Sequence, residues 1–274
     1  MRAGNTEPHR LSGEAPPDRH SFIDLDGSNT LGRQVIFPIL KQVDEDRLEL
    51  IGTGFFISVS GLFVSAKHVL RDPFDSASNQ KYPICMIHFL PDNSYRFRNI
   101  LWCSSHNTAD IAIGLAELIE NSETREPLRN AVLTLTTSAP ALGETIVTYA
   151  YPKHRIENLE RKQILDFHPS FYEGQILEVL PNGRGKLPSP GYRTNIHIHG
   201  GASGGPVVGK SGRVFAVNCS SFSGAPDISS VSRIDEILAL EIRDVKLPDG
   251  QEVHSATVAD LARAGWVDFA PPLS

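Results

Sequence analysis

The run His199-Gly200-Gly201-Ala202-Ser203-Gly204-Gly205-Pro206-Val207-Val208 sets one hydroxyl among residues with almost no side chain, just ahead of a short apolar stretch. Such a serine suits a nucleophile, because glycines let a substrate carbonyl approach the backbone and let neighbouring N–H groups point at one spot. A tight glycine turn with an idle serine reads the same way. A second segment runs from Gly52-Thr53-Gly54-Phe55-Phe56-Ile57 to Gly61-Leu62-Phe63-Val64-Ser65-Ala66-Lys67-His68-Val69-Leu70, two apolar stretches that end at a histidine. An imidazole takes and returns protons near neutral pH, although a histidine closing a strand is as readily structural. The third segment, Ala109-Asp110-Ile111-Ala112-Ile113, opens an apolar run with an aspartate that either caps a turn or orients another polar group. Hydroxyl, imidazole and carboxylate together are the parts of acyl transfer through a covalent intermediate.

The elements that must position these groups are short. Runs rich in β-branched and aromatic residues cover 34–40, 48–59, 62–65, 82–90, 95–102 and 111–116, separated by clusters of Asp, Asn, Gly and Pro. After a polar stretch at 120–130, a second set covers 131–136, 145–151, 172–180, 192–199, 206–208, 214–220 and 229–232. This pattern predicts two antiparallel all-β halves. Near the end, Ser232 is expected to cap a helix over 234–242, and Ser255 or Thr257 to start a short helix that stops before Gly265. Residues 1–30, with few apolar side chains, read as a flexible leader.

Composition narrows the function. Twenty-six Lys and Arg against 32 Asp and Glu give a net charge of −6, so the basic footprint of a nucleic-acid binder is missing. No apolar run is long enough for a membrane span, and the opening MRAGNTEPHRLSGEAPPDRH lacks the apolar core of a secretory signal. Three scattered cysteines, Cys85, Cys103 and Cys219, suggest neither a disulfide framework nor a zinc site. A cytoplasmic protein is the expectation. The stretch from Gly204 to Ser211 matches the letters of a phosphate-binding loop, yet a glycine and a strand-like run follow where that motif needs a helix.

Taken together, the Gly-Thr-Gly strand leading to Ala66-Lys67-His68, the Asp110-Ile111-Ala112 strand and the Gly201-Ala202-Ser203-Gly204-Gly205-Pro206 motif resemble the trypsin-like, chymotrypsin-fold serine peptidases. Within that family the HtrA/Deg branch is the nearest pattern, over about residues 34–242. The resemblance implies a chymotrypsin-like double six-stranded antiparallel β-barrel with a short C-terminal helical extension. Residues 31–125 would form the first barrel with His68 and Asp110. Residues 126–243 would form the second barrel with Ser203 and a closing helix, and 244–274 the extension.

It also implies roles. Ser203 would attack the scissile carbonyl, His68 would carry the proton, Asp110 would hold the imidazole, and the N–H groups of Gly201 and Ser203 would form the oxyanion hole. Val217, Asn218, Cys219 and Ser220 would line the primary pocket, with His197 near its base. No aspartate stands there, so small or apolar side chains are expected rather than Arg or Lys. His197 and His199 alternate on one strand face without a third ligand nearby, so no metal or cofactor is expected. The partner is a protein or peptide substrate, and too few residues follow Leu240 for a PDZ domain. Lys67 departs from the family's Ala-Ala-His. The rival reading is a silent pseudo-protease that uses the same groove to bind peptides.

Overall fold

In the computed structural model these runs close into two antiparallel barrels of six strands each. The structure describes residues 21–23, 29–44, 47–71, 81–120, 126–159, 162–184, 188–197, 200–222, 225–246 and 252–271. Ahead of the barrels, β1 (Ser21–Ile23) pairs with β2 (Asn29–Leu31), and a single helical turn, α1 (Gly32–Val35), follows. The first barrel comprises β3 (Ile36–Asp44), β4 (Arg47–Phe56), β5 (Leu62–Ser65), β6 (Ile84–Phe89), β7 (Tyr95–Ser105) and β8 (Ala112–Ala116), with the five-residue helix α2 (Lys67–Arg71) after β5. The second comprises β9 (Thr145–Leu159), β10 (Lys162–Leu180), β11 (Gly191–Thr194), β12 (Pro206–Val208), β13 (Val214–Phe222) and β14 (Ala225–Arg233). Around each barrel the order is first, second, third, sixth, fifth, fourth. One topology has been used twice, with no repeat in the sequence to show it.

Aromatic side chains fill the first barrel. Phe37 lies 4.6 Å from Phe56 and 5.4 Å from Phe63, centroid to centroid. The ring of Phe63 occupies the space that a side chain at position 114 would need, since a Cβ there would come within 2.4 Å of it, so only glycine fits. A cation is buried beside these rings. Arg98, fully enclosed, donates to the carbonyl of Glu117 (2.8 Å), to Asn130 Oδ1 (2.6 Å) and to His88 Nδ1 (3.1 Å), and lies over the face of Phe56. His88 can accept there only as the neutral ring, whose Nε2–H then donates to the carbonyl of Gln34 (3.1 Å). Burial first, and the Arg98 charge second, lower its pKa from 6.5 to about 3.

The second barrel buries Ile146, Ala150, Ile176, Val207, Ala216 and Val231. Its first two strands continue past the barrel as a long hairpin that reaches the first barrel. There Gln163 Oε1 accepts the N–H of Leu48 (2.9 Å) and its Nε2 donates to the Leu48 carbonyl (3.0 Å), so one side-chain amide replaces a neighbouring strand at the open side of β4.

Several expectations change. Of the expected leader, residues 1–20 and 24–28 lie outside the described residues, while β1 and β2 pair and Phe22 is buried against Tyr149 and Phe171. Gln34 and Val35 belong to α1, and the strand begins at Ile36. The apolar run 131–136 is not a barrel strand. It threads between β4, β13 and the chain's end, with Leu133 N–H donating to Phe56, Thr136 N–H to Val214, and Leu135 N–H to Asp268. The helix over 234–242 is only a 3-10 turn, Ile234–Ile237, without a side-chain cap, because the chain then enters β15 (Glu241–Lys246) to pair with β16 (Glu252–Thr257). The final helix, α3 (Val258–Arg263), starts where expected, with Thr257 and Asp260 in a reciprocal capping box. The extension is therefore a hairpin as well as a helix, and its Val258, Leu261, Val267 and Phe269 join the core.

Candidate active site

Ser65 ends β5, the carbonyl of Ala66 accepts the N–H groups of Val69 and Leu70, and the resulting short helix α2 carries His68 on its first turn. Val69 and Leu70 point inward and anchor that turn, which leaves His68 half-exposed. The turn joining β7 to β8 carries Asp110. Its carboxylate accepts twice from one residue: the His68 backbone N–H at Oδ1 (3.0 Å) and His68 Nδ1 at Oδ2 (2.8 Å). This fixes the proton on Nδ1 and leaves Nε2 as the ring's acceptor. Burial pushes the Asp110 carboxyl up, but the hydrogen bonds and charge of His68 outweigh it and hold the group below its usual range.

Ser203 sits on the loop between β11 and β12, and the sequence builds that loop from backbone. The N–H of Gly204 donates to the carbonyl of Asn218 (2.8 Å), the N–H of Asn218 to Gly205 (2.9 Å), and the N–H of Gly205 to Ala202 (3.1 Å). Asn218 Nδ2 donates to Thr148 Oγ1 (2.6 Å), whose own hydroxyl proton goes to Pro206 O (2.7 Å). Gly201 and Gly204 both have φ of +89°, a conformation open to glycine. Among the described residues, the N–H groups of Gly201 and Ser203 donate to no backbone carbonyl. The hydroxyl of Ser203 donates to the carbonyl of Cys219 (2.9 Å).

Two hydrogen bonds join this loop to the first barrel, and Cys219 on β13 adds a contact to the Asp110 turn. The N–H of Thr53 donates to Ser203 O (2.8 Å), and Thr53 Oγ1 donates to Gly201 O (2.7 Å). Cys219 Sγ lies 3.5 Å from the Asp110 carbonyl and 3.0 Å from Ser232 Oγ. A side chain at position 52 would press on both Ser203 O and Val69, next to His68, so Gly52 is where the Ser203 loop and α2 meet. The fold thus gathers His68, Asp110, Ser203, Gly201 and Cys219 at the junction of the barrels. Val217 and Asn218 are fully buried, and the Asn218 side chain braces the loop from below. Ser220 is exposed and His197 partly buried, whereas His199 lies outside the described residues. Thr53 was not singled out by sequence reasoning, and its one signal was its place between two glycines in a strand.

Residues 52–217, more than half of the chain, match the trypsin-like peptidase domain family. Among solved structures, the chain is similar to Deg5, with a TM-score of 0.51 and 18% identity over 74% of this chain and 85% of that one. It is also similar to the active form of the Rv3671c protease from M. tuberculosis, with a TM-score of 0.49 and 15% identity over 75% of this chain and 78% of that one. Comparison with curated proteins gives no match. With the double barrel, these residues place the chain in the trypsin-like peptidase family, and it is a serine peptidase.

Proposed function

We propose that the chain is an endopeptidase that works through Ser203, His68 and Asp110. The observation that carries this reading is the Asp110 carboxylate, bonded to both the backbone and the ring of His68, at the junction where the Ser203 loop is tied to β4. In the reaction, Ser203 Oγ leaves the Cys219 carbonyl by rotation about its Cα–Cβ bond and attacks the scissile carbonyl carbon while its proton passes to His68 Nε2. The N–H groups of Gly201 and Ser203 receive the oxyanion. The tetrahedral intermediate collapses, the C–N bond breaks, and His68 returns the proton to the departing amine. Water, deprotonated by His68, then attacks the acyl carbon, and as its bond to Ser203 Oγ breaks His68 returns the proton to that oxygen. Asp110 stabilises the imidazolium in both halves and is never itself protonated.

The same reading places the enzyme in the reducing cytoplasm, in keeping with Cys85, Cys103 and Cys219, none of which is in a disulfide. The parked hydroxyl of Ser203 is the one feature that favours a silent peptide-binding module instead. A fluorophosphonate probe decides between them: labelling of the wild type but not of Ser203→Ala, with cleavage of casein lost in the variant, is the expected result. Wild type that binds peptides but resists the probe would establish the silent module.

A further inference from the structure

The residue before His68 is a cation, and its side chain reaches the turn that carries Asp110. Lys67 Nζ donates to the carbonyls of His106 (2.5 Å) and Asn107 (2.7 Å), the opening residues of that turn. The remaining bonds of the turn tie it elsewhere. The N–H of His106 donates to Ile111 O (3.0 Å), and His106 Nδ1 accepts the N–H groups of Ala109 (2.8 Å) and Thr108 (3.3 Å). With Nδ1 occupied as an acceptor, His106 Nε2 carries the proton and faces Glu236 Oε2 of the second barrel at 3.5 Å. These contacts hold the turn to itself and to the neighbouring barrel. Apart from the Asp110 carboxylate, Lys67 supplies the link between the turn and α2.

We propose that Lys67 is a positioning residue for peptide hydrolysis, locking the Asp110 turn to the His68 helix so that carboxylate and imidazole meet in one geometry. The proposal rests on the His68, Asp110 and Ser203 reading above. Two backbone carbonyls held by one ammonium make a charge-assisted clamp, stronger than neutral hydrogen bonds and placed one residue from the base. Burial and then the Arg71 charge lower the Lys67 pKa from its usual value, and the Asp110 carboxylate opposes them. Because Lys67 is partly exposed, water satisfies the two carbonyls once the amine is gone. The fold survives that change, while the angle between Asp110 and His68 loosens. Such a residue acts on turnover more than on stability, since misplacement by a fraction of an ångström is costly only in the transition state.

The test is a mutant cycle on a peptide substrate, with thermal midpoints measured alongside. Lys67→Met is expected to lower kcat by roughly 10- to 100-fold with KM unchanged, the upper end matching a 1 Å misplacement. Lys67→Arg, which keeps charge and two donors, should recover most of the loss. Combined with Asp110→Asn, Lys67→Met should add no further loss, because a group that acts through Asp110 has nothing left to position. Near-normal kcat in Lys67→Met, or losses that multiply in the double variant, overturns the proposal while leaving the triad reading in place. Near-normal kcat in Asp110→Asn overturns the triad reading and the proposal with it. If the Met variant does not fold, Lys67→Gln, with one neutral donor, takes its place in the cycle.

Discussion

Thr53 holds the Ser203 loop with both of its donors: its N–H takes the carbonyl of Ser203 at 2.8 Å and its hydroxyl takes the carbonyl of Gly201 at 2.7 Å. The same hydroxyl oxygen accepts the N–H of Tyr151 (3.3 Å), and the Thr53 carbonyl accepts from Ser65 Oγ (2.7 Å). Two of these four contacts fix the Gly201–Ala202 and Ser203–Gly204 peptide units, and the other two hold Thr53 itself in place. Removing the hydroxyl as Thr53→Val strands the Gly201 carbonyl and the Tyr151 amide, at a cost of about 1–3 kcal/mol of stability. The expected catalytic signature is a fall in kcat with little change in KM, and restoration by Thr53→Ser. Equal kcat values in the valine and serine variants would show that the hydroxyl has no part in holding the loop.

The strands of the first barrel were legible because β-branched and aromatic residues come in short runs bounded by Asp, Asn, Gly and Pro, and three motifs marked the segments of His68, Asp110 and Ser203. The long β9–β10 hairpin was not. Pro152 and Pro169 stand in it, and proline in a run reads as a break. Both fall where the ladder is interrupted: the register shifts between His168 and Ser170, and neither proline has a ladder partner. Ile234, Ile237 and Leu238 follow helical spacing, yet pairing of Glu241–Lys246 with Glu252–Thr257 wins over that local preference. The roles of Thr53, Lys67 and Cys219 depend on contacts between segments more than 35 residues apart in sequence, as the Lys67 bond to His106 across 39 residues illustrates, and no local pattern encodes those.

Stability should fall in mild acid through His88. Above pH 6.5 the ring is neutral in both the folded and unfolded chain and contributes no pH dependence. Between 6.5 and about 3 the unfolded chain takes up a proton that the folded one refuses, so the ring's contribution to stability declines as pH falls. The slope is at most about 1.4 kcal/mol per pH unit. His88→Gln, whose amide can accept from Arg98 and donate to Gln34, should flatten this dependence in urea titrations at pH 7, 6, 5 and 4. Parallel curves for the two proteins would exclude His88 as a source of acid sensitivity.

Phe22 joins the N-terminal hairpin to the second barrel, stacked on Phe171 at 5.9 Å and edge-on to Tyr149 at 6.1 Å. Phe22→Ala should cost about 3 kcal/mol, the low end for a buried phenylalanine because the site lies at the margin of the core. Deletion of residues 1–20 leaves this contact in place and should leave the thermal midpoint unchanged. Deletion of residues 1–31 should lower it as much as the alanine variant does. Identical midpoints for the two deletions would show that β1 and β2 add nothing to the fold.

Reducing agent should change neither activity nor melting. None of the three thiols is in a disulfide, and burial pushes those of Cys85 and Cys103 up to about 12, so almost no thiolate is present at neutral pH. Activity measured with and without dithiothreitol, and alkylation followed by mass spectrometry on the folded protein, check this. Loss of activity in dithiothreitol would reveal a disulfide that the fold does not require.

Gly204 gives the sharpest substitution. A Cβ there would lie 2.1 Å from the carbonyl of Thr53 and 2.3 Å from Ser65 Oγ, and its φ of +89° disfavours any other residue. The Thr53 carbonyl is backbone in a barrel strand and cannot rotate aside, so in Gly204→Ala the Ser203 loop must lift away from β4. That movement breaks the Thr53 bond to Ser203 and shifts the serine relative to His68. Fluorophosphonate labelling should therefore fall with peptidase activity, and far more than in Gly212→Ala. Gly212 also has positive φ, +71°, but nothing within 4 Å of its Cβ position, so that variant reports backbone strain alone. If Gly204→Ala labels at the wild-type rate, the seating of the Ser203 loop on β4 is not what sets the serine's reactivity.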